Sequence, residues 1–223
     1  FRGNLPIGQF YDVAVDMNRP YRVFGGLQDN GSWGGPSQRR GASQGPENHD
    51  FFVYGSGDGF VCAVDREDPD QIYYESQNGG MATVNLRTGA GWSIRAPRDA
   101  RGNVFNWKTP FLLSAHNSRI YYCAGSYVFR SLDRGRDLRK ISPRITADEK
   151  GSATALAESP KDADFLIVGT DDGKVHLTRD GGANWIDVTE RFGLPGLRHV
   201  DNIECSHHDA KRAWVVFDSH RSN

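Results

Sequence analysis

Four carboxylates in this sequence could serve as a catalytic pair: Asp29, Asp58, Glu75 and Asp171. Two carboxyl groups hydrolyse a glycosidic bond when one is protonated and the other ionised, at separations of about 5–5.5 Å for retention or 6.5–9.5 Å for inversion. The three aspartates also stand in Asp-Gly, Asp-Asn-Gly and Asp-Asp-Gly sequences, which tight hairpin turns favour. Glu75 lies in a strand-like run, where a salt bridge is the competing interpretation. Catalysis and local structure therefore both remain open for these carboxylates.

Amide, aromatic and basic side chains occupy the equivalent turns and the connections between repeats, and they are predicted to share one face with these carboxylates. Carboxylates, amides and aromatic rings together suit a sugar or a peptide ligand, and a tryptophan on this face could stack on a sugar ring. The predicted ligand-binding face comprises Gln28, Asn30, Trp33, Asn78, Asn106, Trp107 and Arg198.

Several other chemistries find no support in the residue pattern. Sialidase chemistry needs an arginine cluster and a Tyr–Glu pair; Tyr74 and Glu75 are adjacent, but neighbouring strand residues point to opposite faces. The dipeptide His207-His208 is a solvated loop rather than a metal site, since adjacent residues rarely face one ion. No glycine-rich run lies between a strand and a helix, so we expect no phosphate cradle and no cofactor.

A repeated turn sequence indicates the strands that must position these residues. Thr178-Arg-Asp-Gly-Gly-Ala-Asn-Trp185 has the same frame as Ser131-Leu-Asp-Arg-Gly-Arg-Asp-Leu138, and Asn85-Leu-Arg-Thr-Gly-Ala-Gly-Trp92 is a weaker copy. The closing residues 92, 138 and 185 are 46 and 47 residues apart, which is the period of a four-stranded propeller blade. The hydroxyl and the carboxylate of the frame can bond nearby backbone N–H groups, and its glycine can take a positive φ. These turns are therefore predicted to be structural.

A second pattern has the same period. Five apolar strands each end in a polar turn and are followed by a second apolar strand, and their turn-entry residues lie 49, 49, 45 and 47 apart: Asp16, Asp65, Ser114, Ser159 and Ser206. No apolar period of 3.6 residues extends beyond about two turns, and residues 187–192 form at most a helical turn. The chain is therefore predicted to be an all-β propeller of four-stranded antiparallel blades.

The repeats define one propeller domain or fragment over residues 1–223, with approximate units at 10–50, 51–105, 106–150, 151–198 and 199–223. The last unit ends after its second strand, and a propeller needs its final blade completed to remove open edges. We therefore expect about four and a half blades of a larger propeller, completed by the rest of a longer chain or by another subunit.

Composition narrows the classes of partner. The net charge is −1, with 27 basic and 28 acidic residues, which provides no electrostatic case for nucleic acid. No apolar run approaches the roughly 20 residues of a membrane span. The three cysteines, Cys62, Cys123 and Cys205, lie in separate strand-like runs and are predicted to be buried free thiols.

The turn frames resemble the Asp boxes of BNR-repeat propellers. A narrower resemblance, to the large secreted bacterial sortilin-like or "glycosyl hydrolase BNR repeat" proteins, rests on the segments 24–33, 73–80, 105–110, 168–173 and 218–223. It covers nearly the whole chain and implies an extracellular or periplasmic location, although the chain carries no signal peptide.

Two functions follow as expectations. The first is a non-catalytic binding or scaffold propeller that presents a polar and aromatic face to a protein or glycan partner. The second is a glycoside hydrolase that uses paired carboxylates on a polysaccharide. Two carboxylates from different blades facing each other across a cleft would favour the hydrolase, whereas scattered carboxylates would favour the binding module.

Overall fold

The computed structural model describes residues 8–39, 45–96 and 102–219. The chain divides into two compact units, Phe1–Arg95 and Ala96–Asn223, which are called unit 1 and unit 2. Residues 220–223, which end the fifth repeat and the last of the resembling segments, lie outside the described residues.

Unit 1 contains two four-stranded antiparallel sheets, each with its strands in sequence order. The first sheet comprises β1 (Phe10–Val15), β2 (Arg22–Leu27), β3 (Gly31–Pro36) and β4 (Phe52–Gly55). The second comprises β5 (Gly59–Val64), β6 (Gln71–Ser76), β7 (Gly80–Asn85) and β8 (Gly91–Ser93). Because β4 pairs with β3, the first sheet extends to Gly55, past the approximate boundary at residue 50.

Unit 2 repeats this plan. Its first sheet comprises β9 (Phe111–Leu113), β10 (Tyr121–Ala124), β11 (Val128–Ser131) and β12 (Arg139–Lys140). Its second comprises β13 (Ala153–Ser159), β14 (Asp162–Thr170), β15 (Val175–Thr178) and β16 (Ile186–Asp187). β17 (His199–Cys205) and β18 (Ala213–Asp218) form a two-stranded sheet. The predicted four and a half blades are therefore confirmed.

The described residues contain no α-helix. Two short 3₁₀ segments occur, at Asn48–Asp50 and Thr189–Phe192. The second confirms the single helical turn predicted near residues 187–192.

The turn-entry residues each anchor the turn between the first and second strands of a sheet. Every one of them accepts a backbone N–H from the residue two positions later, at 2.9–3.2 Å: Asp16, Asp65, Ser114, Ser159 and Ser206. Such side-chain bonds mimic a backbone turn and stop the strand. The sequence spacing of these residues therefore reports the spacing of the hairpins.

The repeated frames form the turns between the third and fourth strands of the unit 2 sheets. Ser131 Oγ accepts the N–H of Gly135 at 2.8 Å, and Thr178 Oγ1 accepts that of Gly182 at 3.0 Å. The two glycines have φ values of 86° and 97°, which favour glycine. Hydrogen bonds from the side chain and backbone of Asn184 lower the pKa of Asp180 to about 2. The hydroxyls of Ser131 and Thr178 and the carboxylate of Asp180 thus have local structural tasks.

The sheets pack through apolar clusters that lie between neighbours. In unit 1, Phe24 of the first sheet packs with Cys62 and Ile72 of the second. In unit 2, Phe165 and Ile167 of β14 belong to one cluster with Ile203 of β17. Burial of these side chains holds the two sheets of unit 1 together and holds the β13–β16 sheet of unit 2 against the β17–β18 sheet.

All three cysteines are free and buried, as predicted. Burial raises the pKa of Cys62 to about 12 and that of Cys205 to about 11, so both thiols are protonated at neutral pH.

We expect the three thiols to be unreactive toward a bulky disulfide reagent in the folded protein and all three to react in denaturant. The thiolate is the reactive form; all three thiols are buried, and burial also raises the pKa of Cys62 and of Cys205. Each reacting thiol releases one thiolate from the reagent, and the absorbance of that thiolate measures the number of reactive thiols. A Ser93→Cys variant, with its cysteine at an exposed position, is the positive control. Fast reaction of a native cysteine would contradict this expectation.

Candidate functional site

Three loops of unit 1 meet around Asp58. They are the β2–β3 turn, the β4–β5 connection and the β6–β7 turn. Asp58 Oδ1 accepts the backbone N–H of Asp29 at 2.7 Å, and its Oδ2 accepts Gln77 Nε2 at 3.0 Å. The backbone N–H of Asp58 donates in return to Gln77 Oε1 at 3.1 Å. The carboxylate therefore joins the turns of both sheets.

A cavity of about 460 Å³ opens at this junction, and we call it the polar cavity. Asp29, Asn30, Asp58 and Gln77 line it together with Ser56, and the remaining lining residues are small or apolar: Gly31, Val53, Gly55 and Gly57. The structure thus brings together three of the residues predicted from the sequence. It adds Gln77, which stands in its turn as Gln28 stands in the preceding one.

The turn residues at this site adopt the conformations that their types favour. Asp29 and Asn78 have φ values of 60° and 58°, a left-handed region that aspartate and asparagine tolerate better than most residues. Asn78 also accepts Arg95 Nη2 at its carbonyl, at 2.9 Å. Gln28 accepts a hydrogen bond from the Tyr11 hydroxyl at 2.9 Å. Both predicted binding residues therefore also stabilise the loops.

Trp33 connects the polar cavity to an apolar cleft. Its indole Nε1 donates to the carbonyl of Asn30, a cavity residue, at 2.6 Å. Its ring lines a cleft of about 330 Å³ together with Phe10, Leu27, Asn48 and Phe51, which we call the Trp33 cleft. Polar and aromatic groups are therefore adjacent in unit 1.

Two glycines make room for the aromatic walls of this cleft. A Cβ on Gly25 would lie 2.5 Å from the ring of Phe10, and one on Gly35 would lie 2.2 Å from the ring of Phe51. Both contacts are shorter than van der Waals separations, so larger residues at these positions would displace the rings. Sequence analysis missed Phe10 and Phe51 because nothing in their local sequence shows which glycines they cover.

Glu75 lies apart from the polar cavity. Its side chain is fully buried in β6, and it is not among the residues that line the cavity. It is the second-to-last residue of its strand, the position of Gly26 in β2 and Gly169 in β14. Gly26 and Gly169 leave space for Phe60 and Val200 of the neighbouring sheets, whereas the same position of β6 carries the buried carboxyl side chain of Glu75.

Asp171 in unit 2 has a role similar to that of Asp58. Its Oδ1 accepts the backbone N–H of Ser152 at 2.8 Å, and its Oδ2 accepts Ser152 Oγ at 3.0 Å and Asn106 Nδ2 at 3.3 Å. Asn106 Nδ2 also donates to Ser152 Oγ. Ser152 was not predicted from the sequence, although it lies 46 residues after Asn106, at the repeat period, and this spacing could have indicated it. The carboxylate ties two blade connections to one turn.

The two remaining predicted residues are also in unit 2. Trp107 is 51% exposed. Arg198 donates to the carbonyl of Leu197 at 3.1 Å and lines a small cavity of about 110 Å³ that Gly173 and Phe217 also line. Neither Asp171 nor Asn106 lines this cavity.

The described ranges contain neither a cluster of metal ligands nor a membrane-spanning helix. Within residues 8–39, 45–96 and 102–219, no group of three or more His, Cys, Asp or Glu side chains could hold a metal ion. The same residues include no helix long and apolar enough to cross a bilayer.

The chain matches no protein-family model, and no curated protein matches it. It is similar in structure to the GH74 enzyme of Niastella koreensis, with a TM-score of 0.61, 9% identity and coverage of 94% of this chain and 33% of the other. It is similar to the GH74 xyloglucanase of Xanthomonas campestris, with a TM-score of 0.60, 12% identity and coverage of 88% and 33%.

A third solved structure is the Cps50 (Swd1) β-propeller domain of Myceliophteria thermophila, with a TM-score of 0.62, 12% identity and coverage of 96% of this chain and 64% of the other. The chain thus spans about a third of the two GH74 structures. Identities this low show the fold alone, which is the β-propeller.

Proposed function

We propose that this chain is a non-catalytic binding propeller that presents polar and aromatic surfaces to a protein or glycan partner. The observation that carries the proposal is the contact between the polar cavity and the Trp33 cleft in unit 1. Their volumes lie within the range of roughly 300–1,000 Å³ that small-molecule sites occupy.

The chemistry of this surface favours a glycan over a protein. Sugars offer hydroxyl groups to carboxylates and amides and an apolar ring face to aromatic side chains. Asn30 and Asp58 supply the first kind of group, and Trp33 supplies the second. Because Asp58 is held by donors from two other loops, the cavity is preformed, which lowers the entropic cost of binding.

The wider identity belongs to the same proposal. The local hydrogen bonds at the 131–138 and 178–185 turns support assignment as Asp-box repeats of the BNR type. We further propose a single propeller domain over residues 1–223, an extracellular or periplasmic location, and completion of the β17–β18 sheet by a longer chain or another subunit. Among the described residues β18 pairs with β17 alone, and this open side supports that completion.

We expect Trp33→Ala to weaken binding of neutral xyloglucan oligosaccharides at least tenfold, because it removes the aromatic wall and the indole bond to Asn30. Trp33→Phe keeps a ring and should lose less. Titration calorimetry measures both affinities. Trp214→Ala, which removes an exposed tryptophan from unit 2, is the matched control and should change affinity less than twofold. Equal losses in the two alanine variants would contradict a site at Trp33.

A glycoside hydrolase is the second candidate function. The specific observation in its favour is that Asp29 and Asp58 line the same cavity, and two of the structural neighbours are GH74 enzymes. Release of reducing ends from xyloglucan by the wild-type protein tests it. Turnover that Asp58→Asn abolishes while oligosaccharide binding persists would replace the binding proposal with the hydrolase. Binding without turnover supports the non-catalytic module.

A further inference from the structure

We infer that a second surface, in unit 2, binds the oxyanion group of an acidic glycan at Tyr127, Lys140 and Arg144. The inference names the charge class of a ligand and therefore rests on the proposed binding function. The three residues come from the β10–β11 turn, the end of β12 and the connection after it. We call Lys140 and Arg144 the cation pair.

Tyr127 holds both cations close to one ring. The Lys140 Nζ lies 4.4 Å from the ring centroid, and the Arg144 Cζ lies 5.2 Å from it. A ring attracts cations to its face within about 6 Å, through its quadrupole. Two positive charges that would otherwise repel each other and disperse into solvent are therefore held on the same side chain.

The positive charge of this pair is not neutralised by neighbouring carboxylates. Other cations of the same sheet are paired, as Arg119 and Arg136 are with Asp133. Over the part of the chain that the structure describes, neither Lys140 nor Arg144 has a carboxylate oxygen within 4.0 Å. Residues 138–147 contain three basic side chains and no acidic one. A local positive site therefore exists on a chain whose net charge is −1.

Hydrogen bonds further orient the guanidinium. Arg144 Nη1 donates to Thr146 Oγ1 at 3.3 Å and to the carbonyl of Asp148 at 3.4 Å, both of which are neutral acceptors. Its other N–H groups are available to a ligand. The Tyr127 hydroxyl forms no hydrogen bond within the described residues, so it too can donate.

The position of the pair points to a glycan as the source of the oxyanion. Ser126, next to Tyr127, accepts the N–H of Val104 at its Oγ and donates its own N–H to Asn103 Oδ1. These bonds fix the tyrosine turn to the connection that carries Asn106 and the exposed Trp107. An exposed aromatic ring for the sugar thus shares a loop system with two cations for its acidic group.

An ammonium, an arginine fork and a phenol together match the oxygens of a carboxylate or a sulfate. Both groups occur on acidic sugars, as uronates and as sulfate esters. The chemistry at Lys140 and Arg144 accepts either one, so the experiment must distinguish them.

The test measures binding of three probes of equal length by calorimetry: galacturonate oligosaccharides, sulfated dextran oligosaccharides and neutral dextran oligosaccharides. The double variant Lys140→Gln/Arg144→Gln should weaken binding of the preferred acidic probe at least tenfold and reduce its salt dependence. Tyr127→Leu should weaken it as well, because the cations lose their common ring. The matched control, Lys161→Gln/Lys211→Gln, removes the same charge from exposed positions of unit 2 and should change affinity less than twofold.

Each outcome has one meaning. A preference for one acidic probe, lost in the double variant and kept in the control, supports the site and identifies the acidic group. Equal affinity of the wild-type protein for acidic and neutral probes, or equal losses in the two double variants, overturns it. If xyloglucan oligosaccharides still bind at Trp33 in that case, the proposed function stands and only this inference fails. If no glycan of either class binds, both fail.

Discussion

Replacing Gly26 with alanine should destabilise unit 1 by about 3 kcal/mol, the upper end of the usual range for overpacked sites. A Cβ at this position would lie 2.3 Å from the carbonyl oxygen of Phe60 and 2.4 Å from its nitrogen. Because both atoms belong to the backbone of β5, no side-chain rotation relieves the contact. Chemical denaturation followed by tryptophan fluorescence measures the loss.

Gly45→Ala is the matched control for this substitution. No atom lies within 4 Å of a Cβ built at Gly45, so the free energy of unfolding should change by no more than about 0.5 kcal/mol. A wild-type stability in Gly26→Ala would show that the first two sheets of unit 1 do not approach each other at that glycine. The packing on which the polar cavity depends would then be wrong.

Trp185→Ala should destabilise unit 2 by about 3 kcal/mol, as expected for removal of a large aromatic side chain from a packed site. Trp185 packs against the cluster of Ala124, Val128 and Ile145, and its Nε1 donates to the carbonyl of Ile141 at 2.7 Å. The substitution removes both the apolar contact and the indole hydrogen bond.

Leucine at the same position should cost about half as much. The preceding copy of the turn ends in Leu138, so leucine is compatible with the frame, and it retains apolar area while losing the indole bond. Trp214→Ala, at a half-exposed position of β18, should cost less than either substitution. Equal effects of Trp185→Ala and Trp214→Ala in denaturant titrations would refute a packing role for the turn.

The candidate site shows how one scaffold uses carboxylates. Asp58 and Asp171 each accept hydrogen bonds from a loop other than their own, and each is only partly buried. Asp58 both fixes its loop and lines the polar cavity. A residue that fixes a loop can therefore still contact a ligand. A structural role of these carboxylates is therefore compatible with the proposed binding role.

Most of the fold could be predicted because its signals are local. Asp16, Asp65 and Ser206 stop their strands by bonding an N–H two residues later, and such bonds need no distant partner. Their regular spacing then counts the hairpins. The fourth strands were harder to place, because β12 and β16 are two residues long and carry no apolar pattern.

The site was predictable only in part. Asp29, Asn30 and Asp58 were expected on one face, and they line one cavity because turns at equivalent ends of adjacent sheets meet. Glu75 was expected beside them, but strand register places its side chain in the interior. A shift of one residue along a strand reverses the face, so a sequence pattern with both faces apolar does not decide it.

The sequence by itself determined the repeat, the four-stranded unit and the turn chemistry, since each depends on residues within one hairpin or on their spacing. Tertiary structure decided which side chains meet. The aromatic walls of the Trp33 cleft depend on Gly25 and Gly35, and the cation pair depends on the contact of Tyr127 with Lys140 at the end of β12 and with Arg144 in the connection after it. Such groups are brought together by the three-dimensional packing of side chains from different strands and turns, and that packing depends on every side chain around them.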